Sequence, residues 1–232
     1  MFQRLSSFVF KGVFFSLFAA TAFVSYGIEE NGADDLFVIC RLKYGGGGDW
    51  YGDPSSLPNL LDAVNKRLGI PAAPEEEVRE PSDASILQFP FLYMTGHGNV
   101  HFDEDDVSNL RAYLEQGGFL WADDCYGMDE SFRREIKKIF PDSKMEKLPA
   151  DHPIFHCYYD LPQGLPAVHE HDPEKGPEAF AIHDEGRIVV LYTYQSDVGD
   201  GLEDADVHND PAPIREAAAK TALNIVWYAM SH

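Results

Sequence analysis

Short apolar runs along the chain alternate with segments in which apolar residues recur at helical spacing. Nearly continuous apolar runs, typical of strands buried on both faces, lie at residues 36–42, 91–95 and 119–122. Helical spacing of Leu, Ile, Val and Phe is found at residues 57–68, 107–114, 132–140 and 214–230. Strands that alternate with helices in this way favour βαβ units around a parallel sheet.

Two other patterns extend the predicted fold. Residues 180–182 and 187–194 read as an antiparallel hairpin, with Asp184, Glu185 and Gly186 in the turn. Residues 71–81 read as a surface connection with a short strand nearby, and residues 148–178 as a long structured insertion. The expected fold class is α/β, a three-layer sandwich with a mostly parallel sheet, in a single domain over residues 34–232.

Residues 1–27 differ in composition from the rest of the chain. Arg4 and Lys11 are followed by an apolar stretch and then by small residues, with cleavage expected after Ala22 or Gly27. This order is typical of a signal peptide, and an uncleaved anchor is the alternative. The protein is therefore expected to be exported to the periplasm or cell envelope, with membrane contact only through residues 1–27 if they stay uncleaved.

The formal net charge of −21 narrows the classes of partner. Nucleic acids and anionic lipid surfaces both require a basic footprint, so neither is expected. The acidic balance is compatible with cation binding. The three cysteines, Cys40, Cys125 and Cys157, leave at least one thiol unpaired and do not form a disulfide scaffold. Cys40 lies in an apolar run and is expected in the core.

Four polar segments follow predicted strands, at residues 44–51, 96–104, 123–128 and 195–204. If the strands are parallel, these segments gather at one edge of the sheet, where ligands bind in open α/β folds. The run Gly45 to Gly48 would let backbone amides approach a ligand, although a tightly turned loop is the alternative. The candidate ligand-binding residues are Tyr44, Gly46, Gly47, Asp49, Trp50, Gly96, Gly98, Asp123, Tyr126 and Asp197. No cofactor is expected, because the phosphate-loop and dinucleotide motifs are both absent.

Cys125 is a candidate nucleophile, because it lies between a predicted strand and a helix start, where a thiol pKa is lowered. His97 on the neighbouring segment would be its base, and Asp124 is the alternative nucleophile. The flanking carboxylates of Asp123 and Asp124 oppose a thiolate, so a structural or site-lining Cys125 is also consistent with the sequence.

A metal site is a third hypothesis. His97, His101 and Asp124 are the candidate ligands, since imidazole and carboxylate together suit zinc or another transition metal. His169, Glu170, His171 and Asp172 form another cluster of potential ligands. Residues 197–204 could hold a hard cation, although their spacing is not that of an EF-hand loop and an acidic surface loop is the simpler reading.

The sequence resembles the bacterial family catalogued as domain of unknown function 4159. The resemblance is carried by residues 41–50, 93–98, 117–124 and 187–190. It implies a class I glutamine amidotransferase-like fold, flavodoxin-like in its layers, and no established reaction. Cys125, Tyr126 and Gly127 keep the second half of the amidotransferase nucleophile elbow, whereas Asp123 replaces its first glycine and the late His-x-Glu pair has no convincing counterpart.

The favoured hypothesis is an exported protein without demonstrable catalysis, which binds a small polar ligand, a glycan or an envelope protein at the carboxyl edge of the sheet. The alternatives are a cysteine-dependent hydrolase or amidohydrolase that uses Cys125 with His97, and a metal-binding protein that uses His97, His101 and Asp124.

Overall fold

Seven strands form one sheet in the computed structural model, which describes residues 36–169, 171–172 and 174–232. The strands are β1 (Ile39–Leu42), β2 (Glu77–Arg79), β3 (Phe91–His97), β4 (Leu120–Tyr126), β5 (Glu146–Lys147), β6 (Glu178–Asp184) and β7 (Arg187–Tyr194). They lie in the order β2-β1-β3-β4-β7-β6-β5. The first five strands in this order are mutually parallel. Strand β6 pairs antiparallel with β7, and β5 pairs antiparallel with β6.

Helices cover both faces of the sheet. They are α1 (Ser56–Ala63), α2 (Glu104–Glu115), α3 (Asp129–Ile139), α4 (Val198–Leu202) and α5 (Ala212–Ser231), with a π-helical turn (Val64–Leu68) after α1 and short 3-10 helices at Ala84–Gln88 and Pro153–Phe155. The pleat sends alternate side chains to opposite faces, which makes two cores. Phe91, Tyr93 and Trp121 pack against α1 and α5, whereas Leu92 and Met94 pack against α2 and α3.

The α/β class and the mostly parallel sheet predicted from the sequence are confirmed, and the layering is consistent with a three-layer sandwich. The hairpin of β6 and β7, the short strand β2 and the C-terminal helix α5 are also present. Residues 1–27, for which a signal peptide was expected, lie outside the described residues. Within the described part, no helix has the length and apolar character needed to cross a membrane.

Two boundaries differ from the prediction in a way that affects the site. β4 continues through Tyr126, so Asp123, Asp124 and Cys125 lie in a strand and not in a loop after it. The strand continues because Asp123 is paired with Thr95 on one side and with Thr193 on the other. In addition, the predicted loop at residues 195–204 contains the short helix α4.

Candidate functional site

The parallel strands bring the four predicted polar segments to one edge of the sheet. The main-chain N–H of Gly48 donates to the carbonyl of Asn99 at 3.0 Å, which joins the segments after β1 and β3. The N–H of Gly199, in α4 after β7, donates to Asp123 Oδ2 of β4 at 2.7 Å. The convergence expected from the sequence is therefore present at the carboxyl edge.

Neighbouring residues of β4 face opposite sides of the sheet. Asp124 points toward α3, where its Oδ1 accepts a hydrogen bond from the N–H of Met128 at 3.2 Å. Cys125 points toward α1, where its Sγ lies 3.0 Å from Thr95 Oγ1 and 3.4 Å from Asp53 Oδ2. Because strand side chains alternate, Cys125 and Asp124 cannot serve one site in the way that their adjacency in the sequence suggested.

The surroundings of Cys125 do not suit a nucleophile. Its side chain is 1% exposed, and burial raises its pKa well above the ordinary range, with the charges of Asp197 and Asp53 adding to the effect. His97, the predicted base, turns Nδ1 to Asp49 Oδ2 at 3.1 Å and makes no hydrogen bond to Cys125. The predicted pair of Cys125 and His97 is therefore not formed.

The predicted metal ligands His97, His101 and Asp124 are also kept apart by their partners. His97 faces Asp49, the Nδ1 of His101 lies 3.7 Å from Glu135 Oε2, and Asp124 binds the main chain at the start of α3. Among the described residues, no group of potential metal ligands includes these three. They lie at the end of β3, in the loop after it and within β4, and do not form one cluster.

A different group of histidines and carboxylates does converge at this edge. These side chains form two trios that share His169. One trio is His169, His171 and Asp197, and the other is His169, Asp200 and His208. In each trio, one potential ligand atom per residue lies within 4.8 Å of the others. We call these five side chains the histidine set. The segment with His169 and His171 was recognised in the sequence as a ligand cluster, but without these partners.

A second, buried group adjoins the first. Asp53, Cys125, Asp197 and Asp200 each offer one ligand atom, and these atoms lie within 4.8 Å of one another. We call these four side chains the thiol set. Since Asp197 and Asp200 belong to both sets, the two form one continuous centre.

The contacts within the centre are mostly between imidazole and carboxylate. His169 Nδ1 lies 2.6 Å from Asp200 Oδ2, and His171 Nε2 lies 3.0 Å from Asp197 Oδ2. His208 Nε2 lies 2.8 Å from Glu203 Oε2 and 3.3 Å from Asp200 Oδ1. Every imidazole of the histidine set therefore has a buried carboxylate beside it.

Burial of so many carboxylates raises their pKa values. Burial, reinforced by the charge of Asp200, raises the pKa of Asp53 to about 6, and burial raises that of Asp123 to about 7. Burial and the charges of Asp200, Asp123 and Asp53 raise the pKa of Asp197 well above its ordinary value. A divalent cation among these groups would reverse the repulsion that disfavours their ionised forms.

Burial and the neighbouring His169 lower the pKa of His171, which favours the neutral imidazole that a metal requires. Burial alone would lower the pKa of His208, but the hydrogen bond to Glu203 and the charge of Asp200 outweigh it and raise that pKa.

Local backbone geometry holds two of the carboxylates in place. Asp53 and Asp197 have φ of 52° and 55°, in the left-handed region that non-glycine residues adopt rarely. Arg41 fixes the first of these, because its guanidinium donates to the carbonyls of Gly52 at 2.7 Å and Asp53 at 3.2 Å. Such conformations often occur at functional sites, where the surrounding contacts impose them.

Three solvent-accessible side chains lie beside the histidine set, and we call this exposed surface the mouth. The ring of Tyr126, which is 54% exposed, lies 5.0 Å from the ring of His171, and the ring of His97 lies 6.5 Å from it. Asp49, whose side chain is 34% exposed, completes the mouth through its contact with His97. These three side chains, Asp49, His97 and Tyr126, belong to the set predicted to contact a ligand or substrate.

Other predicted ligand-binding residues shape the walls of this region. Tyr44 is buried, and its hydroxyl donates to the carbonyl of Thr95 at 3.0 Å. At Gly96, with φ of 136°, an added Cβ would lie 2.8 Å from the carbonyl oxygen of Asp49, so only glycine fits there. The loop after β1 contains Gly46, Gly47 and Trp50, and the loop after β3 contains Gly98.

Asp53 and His208 are the members of the centre that the sequence did not indicate. Asp53 directly precedes Pro54 and the α1 helix, a context in which an acid is ordinarily explained by the helix start. His208 lies in an acidic loop without periodicity. Nothing local to either residue indicates its distant partners.

A family model matches residues 38–230 of the chain, nearly all of the described sheet and helices. A comparison with curated proteins finds no match. The chain belongs to the family described as Domain of unknown function (DUF4159).

Proposed function

We propose that this protein binds a divalent transition-metal ion through the histidine set, and that the ion offers a coordination position to a small polar ligand. The observation that carries the proposal is the convergence of His169, His171 and Asp197, and of His169, Asp200 and His208, within 4.8 Å in each trio. The ligand set named from the sequence, His97, His101 and Asp124, is replaced by these residues.

The donor types favour zinc or a neighbouring transition metal over magnesium or calcium. Imidazole nitrogen with carboxylate oxygen is a common ligand combination for zinc, whereas magnesium and calcium take oxygen ligands. A trio of protein donors leaves the fourth tetrahedral position to water or to a ligand, as in metal sites that do chemistry. An ion held by either trio would therefore be able to accept a further ligand.

The mouth gives that ligand its surroundings. Tyr126 offers an exposed ring 5.0 Å from His171, while Asp49 and His97 add polar groups. An aromatic face beside polar groups suits a small polar molecule or a sugar ring better than an extended apolar one. This supports the ligand class expected from the sequence.

We further propose that the layers follow the flavodoxin-like pattern of class I glutamine amidotransferase-like folds. The support is the order of the five parallel strands, β2-β1-β3-β4-β7, which is the doubly wound order 2-1-3-4-5. In that pattern ligands bind where the order reverses, between the ends of β1 and β3. Asp49 lies in the loop after β1, and His97 is the last residue of β3.

We infer that this binding takes place outside the cytoplasm, in the periplasm or cell envelope. The support is the signal-like order of residues 1–27. Sequencing the N-terminus of protein recovered from a cell fraction tests it. A mature end after Ala22 or Gly27 in the exported fraction supports the inference, and an intact Met1 in the cytoplasm overturns it.

Metal binding is tested by titrating the purified protein with zinc, and separately with magnesium, in a calorimeter. The variant His169→Ala removes the residue shared by both trios, and His183→Ala is the matched control, since His183 is exposed and belongs to neither. We expect zinc to bind the wild type and the control alike. In His169→Ala we expect the affinity for zinc to fall by about 10-fold to 100-fold or more. Loss of a residue that only supports a metal ligand already costs about that much, and His169 is proposed to be a ligand itself.

Two results would overturn the proposal. One is the absence of zinc binding to a folded wild-type protein. The other is equal affinity in His169→Ala and His183→Ala, which would move any bound ion elsewhere. Stronger binding of magnesium than of zinc would also contradict the donor argument.

A further inference from the structure

The thiol set has the features of a binding site in its own right. Asp53, Cys125, Asp197 and Asp200 come from three segments far apart in the chain, yet their ligand atoms lie within 4.8 Å of one another. All four side chains are buried. A group of acidic residues alone would not indicate a binding site, but a thiol among three buried carboxylates is unusual in a protein interior.

An unpartnered buried atom gives independent evidence that the set is built for a ligand. Asp197 is 1% exposed, and its Oδ1 has no hydrogen-bond partner among the described residues, while its Oδ2 faces His171. Buried carboxylate oxygens are nearly always paired, so an unpartnered one calls for a cation or another bound group.

The hydroxyl of Tyr93 is a second such atom. It is buried and without a partner among the described residues. A Cβ added at Gly199 would lie 3.0 Å from this hydroxyl, 2.4 Å from Asp53 Oδ2 and 3.3 Å from Asp123 Oδ2. The hydroxyl oxygen of Tyr93 therefore lies near the carboxylate oxygens of Asp53 and Asp123, beside the thiol set.

Charge balance supports a cation here in addition to the one in the histidine set. Once ionised, as metal ligands must be, three carboxylates and a thiolate would carry four negative charges, which two divalent ions would neutralise and one would not. The nearest arginine does not substitute, because Arg41 directs its Nε to Glu76 at 3.1 Å and its other nitrogens to main-chain carbonyls. Its contact with Asp53 is with the carbonyl and not with the carboxylate.

We propose that Asp53, Cys125, Asp197 and Asp200 form a second metal position, so that this edge of the sheet holds two divalent ions that share Asp197 and Asp200. Shared carboxylates of this kind join the ions of two-metal sites, which lie about 3.5–4 Å apart. We call this second metal position the inner position. The thiolate of Cys125 makes it selective for zinc, cobalt and similar ions over magnesium and calcium. The inference rests on the proposed histidine-bound ion, but the two can fail separately.

Cobalt titration of the purified protein tests the second position, because a cobalt–thiolate bond adds a charge-transfer absorption that imidazole and carboxylate do not. We expect two equivalents of cobalt per chain, one of which produces this band. Cys125→Ser should abolish the band and reduce binding to one equivalent. Cys157→Ser is the matched control and should leave the band and both equivalents unchanged, since Cys157 lies apart from the centre.

A second variant keeps the test decisive if Cys125→Ser does not fold. Asp53→Asn preserves the shape of the side chain and the thiol, and should weaken the equivalent that gives the band by at least 10-fold. Binding of a single equivalent without a thiolate band would overturn this proposal and leave the histidine-bound ion intact. A band that survives Cys125→Ser would overturn it as well. No binding at all would overturn both.

Discussion

Gly199 offers a sharp test of the centre, because a side chain added at this glycine would meet the carboxylate of Asp53. It is the second residue of α4, and its N–H donates to Asp123 Oδ2 at 2.7 Å. A Cβ at this position would lie 2.4 Å from Asp53 Oδ2. The variant Gly199→Ala therefore adds one methyl group against a carboxylate of the thiol set without removing any donor.

The size of the effect follows from that distance. Ordinary contacts of a Cβ begin at 3.4 Å, so the oxygen of Asp53 has to move by about 1 Å, the difference between 3.4 and 2.4 Å. Forcing one extra methyl into a packed interior costs about 1–3 kcal/mol of stability. A ligand displaced by about 1 Å leaves the coordination sphere, so we expect the affinity of the inner position to fall about 10-fold to 100-fold.

Urea unfolding and cobalt titration measure the two effects on one sample. Gly201→Ala is the matched control, because its Cβ would meet Val168 Cγ1 at 2.5 Å and Ala218 Cβ at 2.6 Å, which are apolar atoms. We expect the two variants to lose similar stability, and only Gly199→Ala to lose the cobalt–thiolate band. A folded Gly199→Ala protein that binds two equivalents with the wild-type band would refute this reasoning about Asp53.

Three further predictions follow from the same structure. Zinc at 100 times its dissociation constant should add about 2.7 kcal/mol to stability and raise Tm by roughly 5–11 °C in a thermal scan, and a chelator should reverse the shift. Gly96→Ala should cost more stability in urea than Gly47→Ala, because both have positive φ but only the first meets backbone atoms; equal losses would contradict this. Burial alone would raise the pKa of Glu135, but hydrogen bonds from Lys138, Phe102 N–H and Arg134 lower it below its ordinary value of 4.5. The unfolded chain therefore binds more protons in acid, so this stabilisation is present above about pH 4.5 and is lost as the pH falls through the folded pKa. Glu135→Gln should accordingly cost about 1–2 kcal/mol at pH 7, and a loss that does not shrink as the pH falls below 4.5 would contradict the sign.

The fold was predictable because its signals are local. The apolar runs of β1, β3 and β4 and the helical spacing of α1 to α3 reflect burial against immediate neighbours, and periodicity records such burial directly. The end of β4 was not predictable by the same rule. Asp123 and Cys125 read as loop residues because their polar partners, which include Thr193, Gly199 and Asp53, are distant in sequence.

The location of the site was predictable, but its composition was only partly so. The topology rule placed it at the carboxyl ends of the parallel strands, and His169, His171 and residues 197–204 were recognised as potential ligands. Their partnership depends on where the chain places His169 and His171, and residues 148–178 have no periodicity from which to predict that placement. Cys125 and Asp124 were grouped because they are adjacent, whereas the pleat separates them.

The centre draws its donors from four stretches of chain, at Asp53, at Cys125, at His169 and His171, and between Asp197 and His208. No partly folded chain can bring them together until β1, β3, β4 and β7 have aligned. A bound metal would therefore contribute little to the folding transition state and would mainly slow unfolding, since contacts absent from that state act on the unfolding rate. Such a metal would chiefly extend the lifetime of the native chain against proteolysis.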